Sequence, residues 1–130
     1  MELIEKVALK TAQSVVLQLQ AAGIINSNKT AYQKTEWALK NYNTLKAAES
    51  IDGTAARFLK KLDAALADLA ARDDYYEIIQ MCFFERKSSE DIAAYFDISV
   101  RSVRRNKSRL LNVLKVQLFA DTCIKEILLG

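Results

Sequence analysis

The sequence predicts an all-α fold, and three observations lead to this prediction. The 130 residues contain no proline and only three glycines, so residues that break helices are rare. Apolar residues recur at steps of three and four along most of the chain, which is the spacing of one helical face. A content of 51% hydrophobic and 27% charged residues is that of a globular protein and argues against disorder.

The N-terminal half is predicted to form three helices. Residues 2–22 carry one apolar stripe and form the first of them, and residues 29–50 form the second. Thr54 is placed to cap a third helix over about residues 55–72. Tyr32 and Trp37 lie at helical spacing in the second helix, where large aromatic side chains usually belong to a core or a subunit interface. A binding surface is the alternative for these rings and for Tyr42.

The C-terminal half is predicted to contain three helices joined by short turns. A helix over 75–85 is followed by one that Ser88 or Ser89 caps and that runs to Phe96. After a tight turn, Ser99 caps a long final helix that runs to about residue 118.

These elements define three regions of the chain. Residues 1–72 form an N-terminal helical region that supplies a core and a surface for oligomerisation. Residues 73–118 form a DNA-binding domain, and residues 119–130 form an apolar tail that packs back on the body. The predicted architecture is therefore an N-terminal helical part followed by a trihelical helix-turn-helix unit.

Composition excludes most kinds of catalysis. The chain has no histidine, so it offers neither an imidazole base nor a histidine metal ligand. Cys82 and Cys123 are predicted to be buried free thiols of a cytoplasmic protein, with a disulfide as the alternative. No apolar run is long enough to cross a membrane, and the N-terminus does not resemble a signal peptide. We expect no enzyme activity, no cofactor and no metal.

Positive charge is concentrated in the last long helix. The segment 98–120 contains six basic residues and no acidic residue, whereas the whole chain carries a net charge of only +3. The rest of the chain is therefore mildly acidic, at −3. A basic segment in an otherwise acidic chain indicates a surface that binds a polyanion such as DNA. A solvated helix face is the alternative interpretation.

The spacing of small and apolar residues predicts the core of the helix-turn-helix unit. Ala93 lies where two helices approach closely, Ile98 fills the turn, and Val103 packs the second helix on the first. The predicted core residues of the unit are Ile92, Ala93, Phe96, Ile98, Val103 and Leu110.

The polar face of the last helix supplies the candidate DNA contacts. Arg101 and Arg105 are one turn apart on the side opposite the apolar sector, where arginine can bind guanine edges. Arg104 lies on the flank and suits a phosphate, while Lys107 falls within the apolar sector and is predicted to extend its ammonium to the surface. The candidate DNA-binding residues are Ser99, Val100, Arg101, Ser102, Arg104, Arg105 and Arg109.

Two stretches of the chain resemble known families. The run from Ser89 to Ala93, followed by Phe96-Asp97-Ile98-Ser99 and Val103, resembles region four of bacterial sigma factors over about residues 75–115. The stretch Leu39-Lys40-Asn41-Tyr42, with Leu45-Lys46, resembles the ArpU/RinA group of phage-encoded regulators. This second resemblance implies a DNA-binding activator of late phage genes.

The sequence also departs from the sigma pattern. Val100 stands where housekeeping sigma factors commonly carry a base-contacting arginine, and Arg101 stands where an acidic residue is common. We therefore expect a target other than the usual −35 promoter element.

The leading functional hypothesis is a sequence-specific regulator of transcription. It would bind double-stranded DNA as a homodimer or higher homo-oligomer, with RNA polymerase as a further candidate partner. A phage DNA-packaging adaptor of the small terminase type is the first alternative. The second is an interaction module that uses the trihelical unit only as a scaffold.

Overall fold

The computed structural model describes residues 29–50 and 53–129, and this part of the chain is helical with no β-strand. The all-α prediction is therefore confirmed. The helices are α1 (Ala31–Lys40), α2 (Tyr42–Ala48), α3 (Gly53–Arg72), α4 (Glu77–Ile79), which continues as a π-helical turn (Gln80–Phe84), α5 (Ser89–Phe96), α6 (Val100–Leu118) and α7 (Ala120–Leu129). The helix predicted over residues 2–22 lies outside the described residues.

α1 and α2 replace the single helix predicted over residues 29–50, so that prediction is wrong. Both the backbone N–H and the side-chain amide of Asn41 donate to the carbonyl oxygen of Trp37, over 3.0 Å and 2.8 Å. The backbone of Asn41 leaves the helical region, with φ −106° and ψ 17°. A side-chain amide that binds its own backbone competes with helix continuation, and α1 ends here.

α1 begins with a reciprocal cap. The Thr30 hydroxyl accepts a hydrogen bond from the backbone N–H of Gln33, and the Gln33 side chain accepts one from the backbone N–H of Thr30, both over 3.1 Å. These two bonds satisfy N–H groups that a helix leaves without partners at its start.

α3 lies between the N-terminal helices and the C-terminal helices, and it packs on both α2 and α6. It begins at Gly53, so Thr54 lies in its first turn and does not precede the helix as the sequence predicted. Its buried residues form one apolar stripe: Ala55, Leu59, Leu62, Ala65, Leu66 and Leu69. Phe58 is half-buried, with its ring centroid 5.9 Å from that of Phe119.

α4 and the π-helical turn occupy the segment predicted as one helix over 75–85. The backbone N–H of Glu85 donates to the carbonyl oxygen of Gln80 over 3.0 Å, which closes a turn five residues wide. The wider turn places Phe83 in the core and brings the half-buried Phe84 ring to 5.0 Å from the ring of Tyr42.

α6 is the central helix of the described structure. α1, α3, α4, α5 and α7 all pack against it. Its apolar face is buried along the whole length, and Leu110, Leu111 and Leu114 are fully buried. Because α6 packs against five helices through this face, its N-terminal turns are held in a fixed direction relative to the body.

α7 contacts α1 through polar groups. The Glu126 carboxylate accepts a hydrogen bond from the backbone N–H of Ala31 over 2.7 Å, and the Lys34 ammonium donates to the Thr122 hydroxyl over 3.3 Å. Lys34 is almost fully buried, and its ammonium lies 5.8 Å from the centre of the Phe119 ring.

The apolar residues of the segment 119–130 do not all pack on the described body. Phe119 is buried, but Ile127 and Leu128 are 81% and 76% exposed. Cys123 is half-buried and free, as is Cys82, so both thiols are less buried than the sequence predicted. Among the helices of the described ranges, none combines the length and the apolar character that a membrane span requires.

Candidate nucleic-acid interface

α5 and α6 are joined by a turn of three residues whose backbone is tightly defined. Asp97 adopts the left-handed conformation, with φ 55° and ψ 48°. The backbone N–H of Ile98 donates to the carbonyl oxygen of Ala93 over 3.0 Å, and that of Asp97 to Ala94 over 3.3 Å. These two bonds form a Schellman motif that ends α5 and turns the chain sharply into α6.

Serine caps fix the starts of both helices. The Ser88 hydroxyl accepts from the backbone N–H of Asp91 over 3.1 Å, which selects Ser88 over Ser89 as the cap of α5. The Ser99 hydroxyl accepts from the backbone N–H of Ser102 over 3.0 Å and donates to the Ser102 hydroxyl over the same distance. Ser99 and Ser102, both candidate DNA contacts, thus also hold the N-terminus of α6 in place.

The predicted core residues of the helix-turn-helix unit lie at two levels of burial. Ile92, Ala93, Val103 and Leu110 are buried, and no more than 7% of any of them is exposed. Phe96 and Ile98 are half-buried and pack against this core. Val100, which the sequence placed among the DNA contacts, is also half-buried and packs against the core.

Arg101, Arg104 and Arg105 lie exposed on the first turns of α6. In the part of the chain that the structure describes, these three guanidinium groups form no ion pair and no hydrogen bond. No acidic residue occurs on α6, so nothing on their own helix neutralises them. The three arginines therefore form a cationic surface that is available to an external anion, and we call it the arginine face.

Arg109, which the sequence placed among the candidate DNA contacts, is also exposed, but we do not count it in the arginine face because its guanidinium is paired. Its guanidinium forms a bidentate ion pair with the Asp73 carboxylate, with 3.0 Å between Nη2 and Oδ1, and also donates to the Asn106 side chain. The hydrogen bond from Arg109 lowers the pKa of Asp73 and raises that of Arg109. Sequence reasoning considered only acidic residues within 98–120 and so missed Asp73.

Lys107 lies where the sequence predicted. Its stem follows the apolar side of α6, and its ammonium lies 5.1 Å from the centre of the Phe83 ring. In the described ranges, no group of three or more cysteine, aspartate or glutamate side chains is placed to hold a metal ion.

A short helix and a long helix joined by a capped turn, with free arginines on the first turns of the long helix, define a helix-turn-helix of the DNA-binding class. Residues 59–113 match the family model described as Sigma-70, region 4, so this part of the chain is a sigma-70 region 4 domain. The match begins within α3, ahead of the boundary predicted at residue 73, and ends in α6. This match does not confirm the resemblance to the ArpU/RinA group. No curated protein and no solved structure gives a significant match to the chain.

Proposed function

We propose that this protein is a sequence-specific DNA-binding regulator of transcription that inserts the N-terminal turns of α6 into the major groove. The observation that carries the proposal is the arginine face, where Arg101, Arg104 and Arg105 are exposed and unpaired on a rigidly capped helix start. The region 4 match supports it, because that domain is a DNA-binding module of transcription.

The three arginines differ in their proposed roles. Arg101 and Arg105 lie one turn apart on the outermost side of α6, so both point at base edges when the helix lies in the groove. Arg104 lies on the flank of the same helix and is assigned to a backbone phosphate. Ser99, Val100 and Ser102 at the helix start are further candidate DNA contacts. Arg109 forms an ion pair with Asp73 and helps to hold α6 against the segment between α3 and α4.

We further propose that the protein acts as a homodimer or higher homo-oligomer. One recognition helix covers only a few base pairs, and specificity usually comes from two half-sites about one helical turn apart. The resemblance of residues 39–46 to the ArpU/RinA group supports activation of late phage genes as the biological role, with RNA polymerase as the further partner.

Selection of bound sequences from a random duplex pool, followed by affinity measurements over a range of salt concentrations, tests the proposal. We expect one enriched motif and a slope of about −3 to −7 in log affinity against log salt for a dimer. The matched control is Arg57→Ala, which removes an exposed arginine on α3 and should leave the affinity unchanged. A flat salt response with no enriched motif would favour the interaction module.

Light scattering with and without the selected duplex tests the assembly. A dimer on an inverted or direct repeat supports the regulator, while a ring-sized oligomer supports the DNA-packaging adaptor. A strict monomer at tens of micromolar under both conditions contradicts the assembly proposal.

A further inference from the structure

A cavity of about 260 Å³ lies beside the arginine face, where α1 meets the helix-turn-helix unit. Its floor is apolar and formed by Ile78, Ile92 and Val103, which are the residues that pack α4, α5 and α6 together. Because these floor residues are buried and belong to the core, the cavity has a fixed base.

The rim of the cavity is polar and positively charged. Arg104 and Lys107 contribute two cations, and Tyr32, Ser89 and Ser108 contribute three hydroxyl groups. None of the residues that line the cavity is acidic. A rim with two positive charges and several hydroxyl donors, without a carboxylate, is complementary to an oxyanion such as a phosphate group.

Tyr32 brings α1 to this rim. Its hydroxyl lies 3.3 Å from that of Ser108, and either oxygen can be the donor. Whichever hydroxyl accepts in this pair keeps its own proton, so the pair can still donate one hydrogen bond to a bound anion. Tyr32 lies well before residues 59–113, which match region 4, and it extends the candidate interface beyond that domain.

The rim is continuous with the arginine face. At 100° per residue, Ser108 lies within about 20° of Arg101 on the surface of α6, two turns further along, and Arg104 lies between them on the flank. A DNA strand whose bases contact Arg101 can therefore place a phosphate at the side of α6 that opens into the cavity.

We propose that this cavity binds a phosphate group of the DNA backbone and that Tyr32 is a phosphate contact supplied by α1. This inference rests on the proposed function, since the phosphate belongs to the duplex that α6 reads. The site holds the DNA in register and contributes nothing to the choice of bases.

The first test is the affinity of Tyr32→Phe for the selected duplex and for a scrambled duplex. The variant keeps the ring and loses only the hydroxyl, so we expect both affinities to fall by the same factor, about tenfold. The salt slope should stay unchanged because the lost group is neutral. The control is Tyr42→Phe, whose hydroxyl donates to Asp63 between α2 and α3 over 2.6 Å; its affinities should equal those of the parent.

The second test is the salt slope of Lys107→Gln, which keeps most of the side-chain stem and removes the charge. One fewer phosphate neutralised should make the slope shallower by about 0.9. An unchanged slope contradicts the inference. Circular dichroism of each variant confirms that a loss of affinity does not arise from unfolding.

Two further measurements distinguish a backbone phosphate from free phosphate. In duplexes in which a single phosphate carries a neutral methyl group, one position of the methyl group should weaken binding by the parent protein. At that position, Tyr32→Phe should show no additional loss of affinity. In the absence of DNA, the melting temperature in sodium phosphate should equal that in sodium chloride at matched ionic strength. The inference would be overturned if the melting temperature were higher in phosphate, if Tyr32→Phe abolished this increase, and if no methylated position in the duplex weakened binding. The site would then be assigned to free phosphate.

Parent-level affinity of Tyr32→Phe for both duplexes would also overturn it. If the parent binds no duplex at all, the proposed function itself fails. That result differs from the case in which the parent binds DNA and the Tyr32 and Lys107 variants bind it equally well, which overturns only the phosphate site.

Discussion

Arg109 and Asp73 form a bidentate ion pair that ties the middle of α6 to the segment between α3 and α4. The Asp73 carboxylate also accepts a hydrogen bond from the backbone N–H of Tyr75 over 2.9 Å, so it organises its own turn as well as binding α6. The arginine face begins two turns before Arg109 on the same helix. The ion pair therefore adds to the packing that holds α6, and with it Arg101 and Arg105, in one orientation relative to the body.

Removal of this ion pair should lower stability without removing a DNA contact. We expect Arg109→Ala to reduce the free energy of unfolding by about 1 kcal/mol, because the pair is bidentate but the Arg109 side chain is 44% exposed to solvent. Urea denaturation measures this loss. The matched control is Arg101→Ala, which should lie within about 0.5 kcal/mol of the parent. Equal stabilities of the two variants would show that the ion pair contributes nothing.

The same ion pair predicts a dependence of stability on acid. The hydrogen bond that the Arg109 guanidinium donates to Asp73 holds the pKa of Asp73 below the usual value of an aspartate, which is about 3.9 in an unfolded chain. The stabilisation is therefore complete above about pH 5 and is lost as the pH falls through the lowered pKa. Asp73→Asn lacks this contribution, so the difference in unfolding free energy between parent and variant should shrink from pH 5 to pH 2. A constant difference across this range would contradict the assignment.

The arginine face predicts two kinds of binding defect. Arg101→Ala and Arg105→Ala should each cost about 1–3 kcal/mol of discrimination between the selected and the scrambled duplex, because a guanine contact is lost. Arg104→Ala should lower the affinity for both duplexes by the same factor, because a phosphate carries no sequence information. Binding of Arg101→Ala and Arg105→Ala to the selected site with the affinity of the parent would show that another surface reads the bases.

Val103 predicts the opposite outcome, a loss of fold together with a loss of all binding. It is 2% exposed between α5 and α6, and Val103→Asp places a carboxylate without a partner in that contact. We expect a destabilisation of about 3–5 kcal/mol, as for other unpaired buried charges. Thermal denaturation followed by circular dichroism detects it. Val103→Ala is the milder comparison, and a folded Val103→Asp that fails only to bind DNA would contradict this account.

The sequence predicted best what is decided locally. The Ser99 cap, the turn after Phe96 and the end of α6 at Leu118 lie where expected, since caps and helical periodicity depend on residues a few positions apart. The π-helical turn after Ile79 was not foreseen, because a test for a period of 3.6 residues treats a wider turn as ordinary helix.

The features that the sequence did not predict have two origins, contacts between distant residues and competition from a side chain. Asn41 breaks a periodic stretch through two hydrogen bonds to Trp37, which the apolar pattern does not reveal. The partner of Arg109 is 36 residues away, and the contact between Tyr32 and Ser108 spans 76 residues. Pairings at such separations follow from tertiary packing and leave no mark in the local sequence.

The packing of α1 on α6 and α7 has a consequence for synthesis on the ribosome. The hydrogen bond from the backbone N–H of Ala31 to Glu126 joins residues 95 positions apart. At about 5–20 residues per second, the ribosome takes about 5–20 s to synthesise the chain between these two residues, and Glu126 must also clear the exit tunnel. The nascent chain therefore lacks this contact for at least that time, and α1 docks on α7 only after the whole of α6 has been made.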